Sequence, residues 1–377
     1  MILLIILINL KNMKIIIFFL TIFSFVSFVG IIFLEILFGN WVFNNEWRSA
    51  NYLNIIRDKQ IEITIKDLEK ENSDYKIIYT RDIYGLRSSC EYKNNIDILT
   101  IGGSTTDQRY ISDENTFQEI LQQKITKELN KKICIFNAGV DGHSTHGHIK
   151  SFNDWFNLIP GFNPKIIFLY IGINDAGIKD EPSLYDYRNY DNENILKKIY
   201  YESVFLNALR RLKYITKSLL TKNVYGDHLI LHPKDIYKFT ATESTKEFDK
   251  IILKNTINFE KRLNILLRKI SKYDSKVVCI TQPHFLAKKF EGKMIGINSA
   301  ITYQNKNYNG LDFENSILKI NQVMKEKCEF YIEISADNFI FQKDFYDPVH
   351  MLPSGSKKLA SIIFEDMRNQ KIINYLE

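Results

Sequence analysis

From Ile96 onward, short apolar runs alternate with segments of helical periodicity, and this alternation limits the possible folds more than any other feature of the chain. The runs are Ile96 to Ile101, Ile133 to Phe136, Ile166 to Ile171, Val277 to Thr281 and Phe330 to Ile334. Between them, Phe117, Ile120, Leu121 and Ile125 keep a helical spacing. So do Phe248, Ile251, Ile252, Phe259, Leu263, Leu266, Leu267 and Ile270. A last helix carries Leu359, Ile362, Ile363 and Met367, with Ser354 as its expected N-cap. Strand–helix alternation of this kind predicts an α/β fold with a parallel sheet and helices on both faces. Five strands fit a flavodoxin-like order, in which ligands bind beyond the carboxyl ends of the strands. The loops after Ile101, Asn137 and Ile171 then share one rim. At 377 residues and 45% hydrophobic, the chain can bury a sizeable core, as one large domain or two small ones.

Four short motifs fall on that rim. Gly102-Gly103-Ser104-Thr105-Thr106 follows the first strand. Two glycines permit a sharp turn that presents the serine hydroxyl, although a phosphate-binding turn or an ordinary strand-to-helix turn reads the same way. It is not the G-x-S-x-G elbow, because Thr106 stands where the second glycine belongs. Asn137-Ala138-Gly139-Val140-Asp141-Gly142-His143-Ser144 follows the second strand, and a glycine there can offer an open backbone N–H. Gly172-Ile173-Asn174-Asp175 follows the third; its asparagine can donate to a developing oxyanion or simply form an Asx-turn. Asp347-Pro348-Val349-His350 precedes the last helix. That spacing lets a carboxylate reach the imidazole Nδ1–H and leaves Nε2 as a base, with Asp344 a worse-spaced competitor.

With these blocks in this order, the chain resembles the SGNH (GDSL-like) hydrolase family over roughly Ile96 to Met367. Ser104 matches the nucleophile of the first block, here G-G-S-T rather than G-D-S. Gly142 and Asn174 match the glycine and asparagine of the second and third blocks. Asp347 and His350 match the last block's D-x-x-H. The resemblance implies a three-layer α/β/α flavodoxin-like fold and ester chemistry without cofactor or metal. It also implies a Ser104–His350–Asp347 triad, with an oxyanion hole from the Ser104 and Gly142 N–H groups and the Asn174 amide.

The N-terminus carries a different signal. Ile15 to Leu34 is a run of 20 residues without a charge, preceded by Lys11 and Lys14 and followed by Glu35, Trp41 and Trp47. At the helical rise it covers about 30 Å, a bilayer's hydrocarbon thickness. No A-x-A-like cleavage site follows, so a retained anchor is expected rather than a signal peptide. Met13-Lys14 reads as the natural start, with residues 1–12 an extension. Residues 1–39 are thus the anchor, 40–95 a connector with a helical stretch around Ile65 to Glu71, and 96–377 the hydrolase domain. Inserts are expected near 176–247, with a helix near Ile195 to Leu220, and near 286–311. The weak charge bias favours a single-pass protein whose catalytic part is extracytoplasmic.

Other features exclude or leave open. A net charge of +6, from 50 basic and 44 acidic residues without a compact basic block, argues against nucleic acid as a partner. Of the four cysteines none forms a C-x-x-C pair. Cys134 and Cys279 lie in apolar runs and read as core thiols, while Cys90 and Cys328 are free to pair. His143, His146 and His148 lack the carboxylate or cysteine company of a metal site, and one of them is expected to line the substrate cleft. Thr281-Gln282-Pro283-His284 follows the fourth strand as a loop start in reach of substrate. The expected function is a serine esterase acting on O-acyl, chiefly O-acetyl, esters of carbohydrate at the cell envelope. Alternatives are an O-acyltransferase of surface polysaccharide, a lipid esterase or thioesterase, and a non-catalytic binding protein on the same fold.

Overall fold

The computed structural model describes residues 2–38, 47, 50, 52–66, 74–177, 181–187, 196, 199, 203–206, 208–209, 212–213, 237–303 and 306–377. The chain divides into two compact units, Met1–Arg48 with Asn189–Gly226, and Ser49–Arg188 with Asp227–Glu377. The first unit contains helix α1, Ile2–Phe38, within which Ile15–Leu37 is long and apolar enough to cross a membrane and is not buried by protein. The described residues of the expected helix at Ile195 to Leu220 are helical apart from Ser203.

The second unit begins with an antiparallel hairpin of β1, Lys59–Lys66, and β2, Asp74–Arg81. The expected helix at Ile65 to Glu71 is therefore corrected at its start, where Ile65 and Lys66 pair with Tyr75 and Asp74; residues 67–71 lie outside the described residues. Half-buried Ile61 and Ile63 alternate with exposed Gln60 and Glu62, as suits a half-covered ribbon.

Five parallel strands make the core sheet: β3 Ile96–Gly102, β4 Ile135–Asn137, β5 Pro164–Tyr170, β7 Lys276–Ile280 and β12 Phe330–Ile332, in the order β12-β7-β5-β3-β4. β3 is buried along its whole length and β5 at all but Lys165, as strands covered on both faces must be. Both edge strands are only three residues long, which limits the unpaired edge.

Helices form the outer layers. After the single turn α2, Ser104–Asp107, comes α3, Phe117–Leu129, whose Thr116 N-cap accepts from the Glu119 N–H. α3 packs with the last helix, α8, Pro353–Asn369; Phe117, Leu121, Ile125, Leu359, Ile363 and Met367 cover Ile98, Ile166, Phe168 and Val278. By strand alternation Leu99, Ile167, Leu169 and Cys279, all buried, face the other way. There α4, Thr145–Asp154, packs on α6, Asp249–Ile270, which packs in turn on α7, Gly310–Lys327. α5, Ile173–Ala176, is another single turn. α8 starts at Pro353 after Leu352, not at an N-capping Ser354; proline suits the first helical position, and Ser354 donates to the Lys343 carbonyl instead.

The insert near 286–311 is built from strands. β6, Phe239–Ala241, β8, Ala287–Phe290, and β9, Lys293–Ile297, form a small antiparallel sheet, and β10, Ile301–Tyr303, with β11, Lys306–Tyr308, a hairpin.

All four cysteines are paired, Cys90 with Cys134 and Cys279 with Cys328, so the expected core thiols are corrected, and the pairing left open for Cys90 and Cys328 is not the one formed. The cause lies in the sheet. β12 pairs with β7 so that Tyr331 lies beside Cys279, and the end of α7 brings Cys328 to within a Cα separation of 6.0 Å. An apolar run places a cysteine in the interior but does not exclude a half-cystine there.

Candidate active site

The chain runs from β3 outward to β4 and then crosses back to β5 on the other side of β3. The crevice at the carboxyl ends of β3 and β5 is therefore the topological switch point, where open α/β sheets bind ligands. Gly102 and Tyr170 are paired neighbours at those ends, so the turns carrying Ser104 and Asn174 leave adjacent strands.

Ser104 opens the turn α2, closed by the Thr106 and Asp107 N–H groups on the Gly103 carbonyl at 3.0 and 2.9 Å. Gly103 has no room for a side chain: a Cβ there would lie 2.4 Å from the Asn174 amide nitrogen and 3.1 Å from the His143 carbonyl oxygen. That close approach brings the first, second and third motifs together. The Asn174 amide donates to the His143 carbonyl at 2.8 Å. Gly142 has φ +77°, a left-handed backbone, and the Tyr185 side chain fills the place a Cβ would take.

The fourth motif folds as a turn around its own aspartate. Asp347 Oδ1 accepts from the Val349 and His350 N–H groups at 2.8 and 2.7 Å. Its Oδ2 lies 2.6 Å from His350 Nδ1, and His350 Nε2 lies 2.7 Å from Ser104 Oγ. With Nδ1–H donated to the carboxylate, Nε2 is the lone-pair nitrogen and accepts from the serine hydroxyl. Tyr346 stacks on the imidazole at 5.5 Å between ring centroids. Burial alone would raise the Asp347 carboxyl, but the charge of His350 and hydrogen bonds from His350 and Val349 hold it below the usual range. Burial would likewise lower His350, but the Asp347 carboxylate, assisted by Asp141, raises it above the usual histidine value.

Asp344, the competitor in sequence, is buried and paired with Lys358 at 2.6 Å, and it also accepts from the Ile340 N–H. His143 and His148 are buried rather than lining the cleft; burial pushes them down to about 4 and about 3, so both are neutral. His143 Nε2 meets the Leu53 carbonyl at 2.9 Å. His146 is half-buried.

Several buried polar groups hold the rim in shape, and the sequence alone did not single them out. Gln282 donates to Thr105 Oγ1 at 2.5 Å and to the Tyr170 carbonyl at 3.1 Å, and accepts from the Ile173 N–H at 2.8 Å. It thereby ties the serine turn to the asparagine turn, a bracing role beyond the loop start in reach of substrate that the sequence suggested. Asp175 accepts from the Thr145 hydroxyl at 2.6 Å and pairs with Arg262 at 3.2 Å, which fixes the third motif to α4. Asp186 accepts from the Ser144 N–H and hydroxyl, both at 2.6 Å, and from Ser183, clasping the Tyr185 loop to the second motif. Below the serine turn, Arg81 reaches the Asp107 carboxylate, the Tyr79 hydroxyl and the Asn137 and Gly139 carbonyls. Burial would raise Asp107, but the Arg81, Arg109 and Arg87 guanidinium groups keep it low. Arg109 also lies 3.5 Å from Asp141, the acid that assists Asp347 in raising His350. A usable signal did exist for two of these acids, since Asp107 and Asp175 stand inside or directly beside the motifs.

A family model described as GDSL-like Lipase/Acylhydrolase matches residues 98–363. No curated protein matches the chain. Among solved structures, the chain is similar to a lipolytic protein of the G-D-S-L family from Desulfitobacterium hafniense, at 10% identity and TM-score 0.37, over 73% of this chain and 99% of that one. It is similar to the psychrotrophic esterase EstA from a Pseudoalteromonas species at 9% identity and TM-score 0.37, over 74% and 98%. An acetylxylan esterase from Geobacillus stearothermophilus gives 11% identity and TM-score 0.37, over 72% and 93%.

Proposed function

The chain belongs to the GDSL-like lipase/acylhydrolase family and is a serine ester hydrolase, and from that premise we propose that Ser104 is its nucleophile, His350 its general base and Asp347 the residue that orients the base. The observation that carries this assignment is the continuous hydrogen-bond chain Ser104 Oγ–His350 Nε2–His350 Nδ1–Asp347 Oδ2, at 2.7 and 2.6 Å.

A serine hydroxyl is a weak nucleophile until a base takes its proton. As Oγ bonds to the ester carbonyl carbon, the proton passes to His350 Nε2, and the Asp347 carboxylate stabilises the imidazolium. The tetrahedral oxyanion is held by the Ser104 and Gly142 N–H groups and by the Asn174 amide. One amide hydrogen of Asn174 bonds to the His143 carbonyl, and the other is assigned to the oxyanion. Breaking the ester C–O bond sends the alcohol out with the proton from Nε2 and leaves an acyl group on Ser104. Water then gives its proton to His350 Nε2 as it bonds to the acyl carbon, and the acyl–Oγ bond breaks with that proton returning to Ser104 Oγ, which releases the acid. No step calls for a metal or an organic cofactor.

The substrate we assign is an O-acyl, chiefly O-acetyl, ester of carbohydrate at the cell envelope. Support comes from the anchor-like α1 and from two disulfides, which belong to an oxidising compartment. The same features favour a single-pass protein with an extracytoplasmic catalytic part. The test is acid release by the full-length chain in detergent, with acetylated oligosaccharides and p-nitrophenyl esters of increasing chain length, beside Ser104→Ala. Serine-dependent release that is fastest for acetyl-sugars supports the assignment. A preference for long acyl chains would replace it with a lipid esterase. Serine-dependent acyl transfer to an added glycan, without release to water, would replace it with an acyltransferase.

A further inference from the structure

Near its end, α1 carries a carboxylate that has work within the first unit. Glu35, one residue past the uncharged run, accepts from the Ser203 hydroxyl at 2.5 Å, the Val204 N–H at 3.2 Å and the Phe205 N–H at 3.0 Å. Ser203 Oγ in turn accepts from the Leu206 N–H at 3.0 Å, as an N-cap does. The described residues that follow, 204–206, 208–209 and 212–213, are helical. An acid beside opening N–H groups satisfies donors that have no partner within a helix.

Among the described residues, three large apolar side chains of this stretch are turned outward. Phe205, Leu209 and Leu212, spaced i, i+4, i+7, are 38, 48 and 61% exposed. On the side that meets α1, an open groove of about 490 Å³ is lined by Ile31, Ile32 and Ile36 of α1 and by Ile199 and Leu206 of the insert, with Glu35 and Ser203. The sequence from Ser203 to Lys222 carries Arg210, Arg211, Lys213, Lys217 and Lys222 and no acidic residue. A helix with an apolar face and basic residues, low in net hydrophobicity, belongs in the interface of a bilayer rather than across it.

We infer that the described helical residues of the insert between Ser203 and Lys213 bind the membrane interface, docked by Glu35 near the end of the apolar anchor and covered on the open apolar face of Phe205, Leu209 and Leu212 by the lipids of the same bilayer. The occupant follows from continuity: the uncharged run spans about 30 Å as a helix, so its end, where Glu35 holds Ser203, lies at the headgroup boundary. The sequence of this stretch, basic and without an acid, favours anionic headgroups. This inference rests on the proposal that α1 is a retained span.

The test uses the full-length chain in vesicles of phosphatidylcholine with and without phosphatidylglycerol. Because the four native cysteines are paired, Leu209→Cys supplies a single thiol for an environment-sensitive nitrobenzoxadiazole probe. The expected result is blue-shifted emission, quenching by lipids spin-labelled near the headgroup, and loss of quenching by aqueous iodide, all stronger with phosphatidylglycerol. Adding Glu35→Ala to the labelled chain should shift emission back to the red. Carbonate extraction separates the two ideas. A chain that resists extraction but whose probe stays in water overturns the docking alone. A chain that carbonate removes from the membrane overturns the anchor and the docking together.

Discussion

The turn Asp347–His350 and the run His143–His148 both carry histidines near acids, and they have opposite fates. In the turn Asp347–His350, the imidazole is held between a carboxylate and a serine hydroxyl, and its proton affinity is raised. In the run His143–His148, two imidazoles are sealed in the interior and pushed down to about 4 and about 3. Residue type does not distinguish them; the partners do. A carboxylate at hydrogen-bond distance outweighs the burial that dominates the other pair. The second run has acids nearby, but Asp186 is already occupied by Ser144 and Ser183, and His143 meets a backbone carbonyl.

That contrast is open to attack in order of expected effect. Ser104→Ala should lower kcat by a factor on the order of 10⁶, as when a serine triad loses its nucleophile, and steady-state hydrolysis of p-nitrophenyl acetate reads it directly. Asp347→Asn should lower kcat by about 10⁴, because the imidazole loses its tautomer and counter-charge while the turn can still form. Asn174→Ala should cost about 10²-fold in kcat with little change in KM and an unchanged circular dichroism spectrum; full activity would remove Asn174 from the oxyanion hole. Asp141→Asn tests the electrostatics. His350 acts as a base only when neutral, and its raised proton affinity places the acidic limb of kcat/KM above the usual histidine value. Removing the Asp141 charge lowers that affinity, so activity should persist to lower pH; a limb that does not move would assign the shift to Asp347 alone. His148→Phe is the smallest expected effect: the acidic limb should stay where it is, since this buried neutral imidazole does not titrate near it.

How much of this could be read in advance depends on the range of each interaction. The five strands and their order were legible because each strand is a local apolar run bounded by helical periodicity. The four motifs were legible because each lies within a few residues at a strand end or before the last helix. Gln282 was not, since its role depends on Thr105 and Ile173, 177 and 109 residues away along the chain. Arg81 and Asp107 are likewise paired only through folding, across a separation of 26 residues. The cysteine expectation failed for the same reason: apolar neighbours describe burial, while pairing is set by which strands lie side by side. Ser354 failed locally, because the adjacent Pro353 is the better first helical residue and released the serine to the Lys343 carbonyl.

The central claim is that one serine is activated by His350. The most direct measurement is covalent labelling of the full-length chain with an organophosphonate, followed by peptide mass spectrometry. A single adduct on the peptide containing Ser104, lost in His350→Ala, is the predicted result. An adduct on another residue, no adduct at all, or labelling of Ser104 that survives His350→Ala would contradict it.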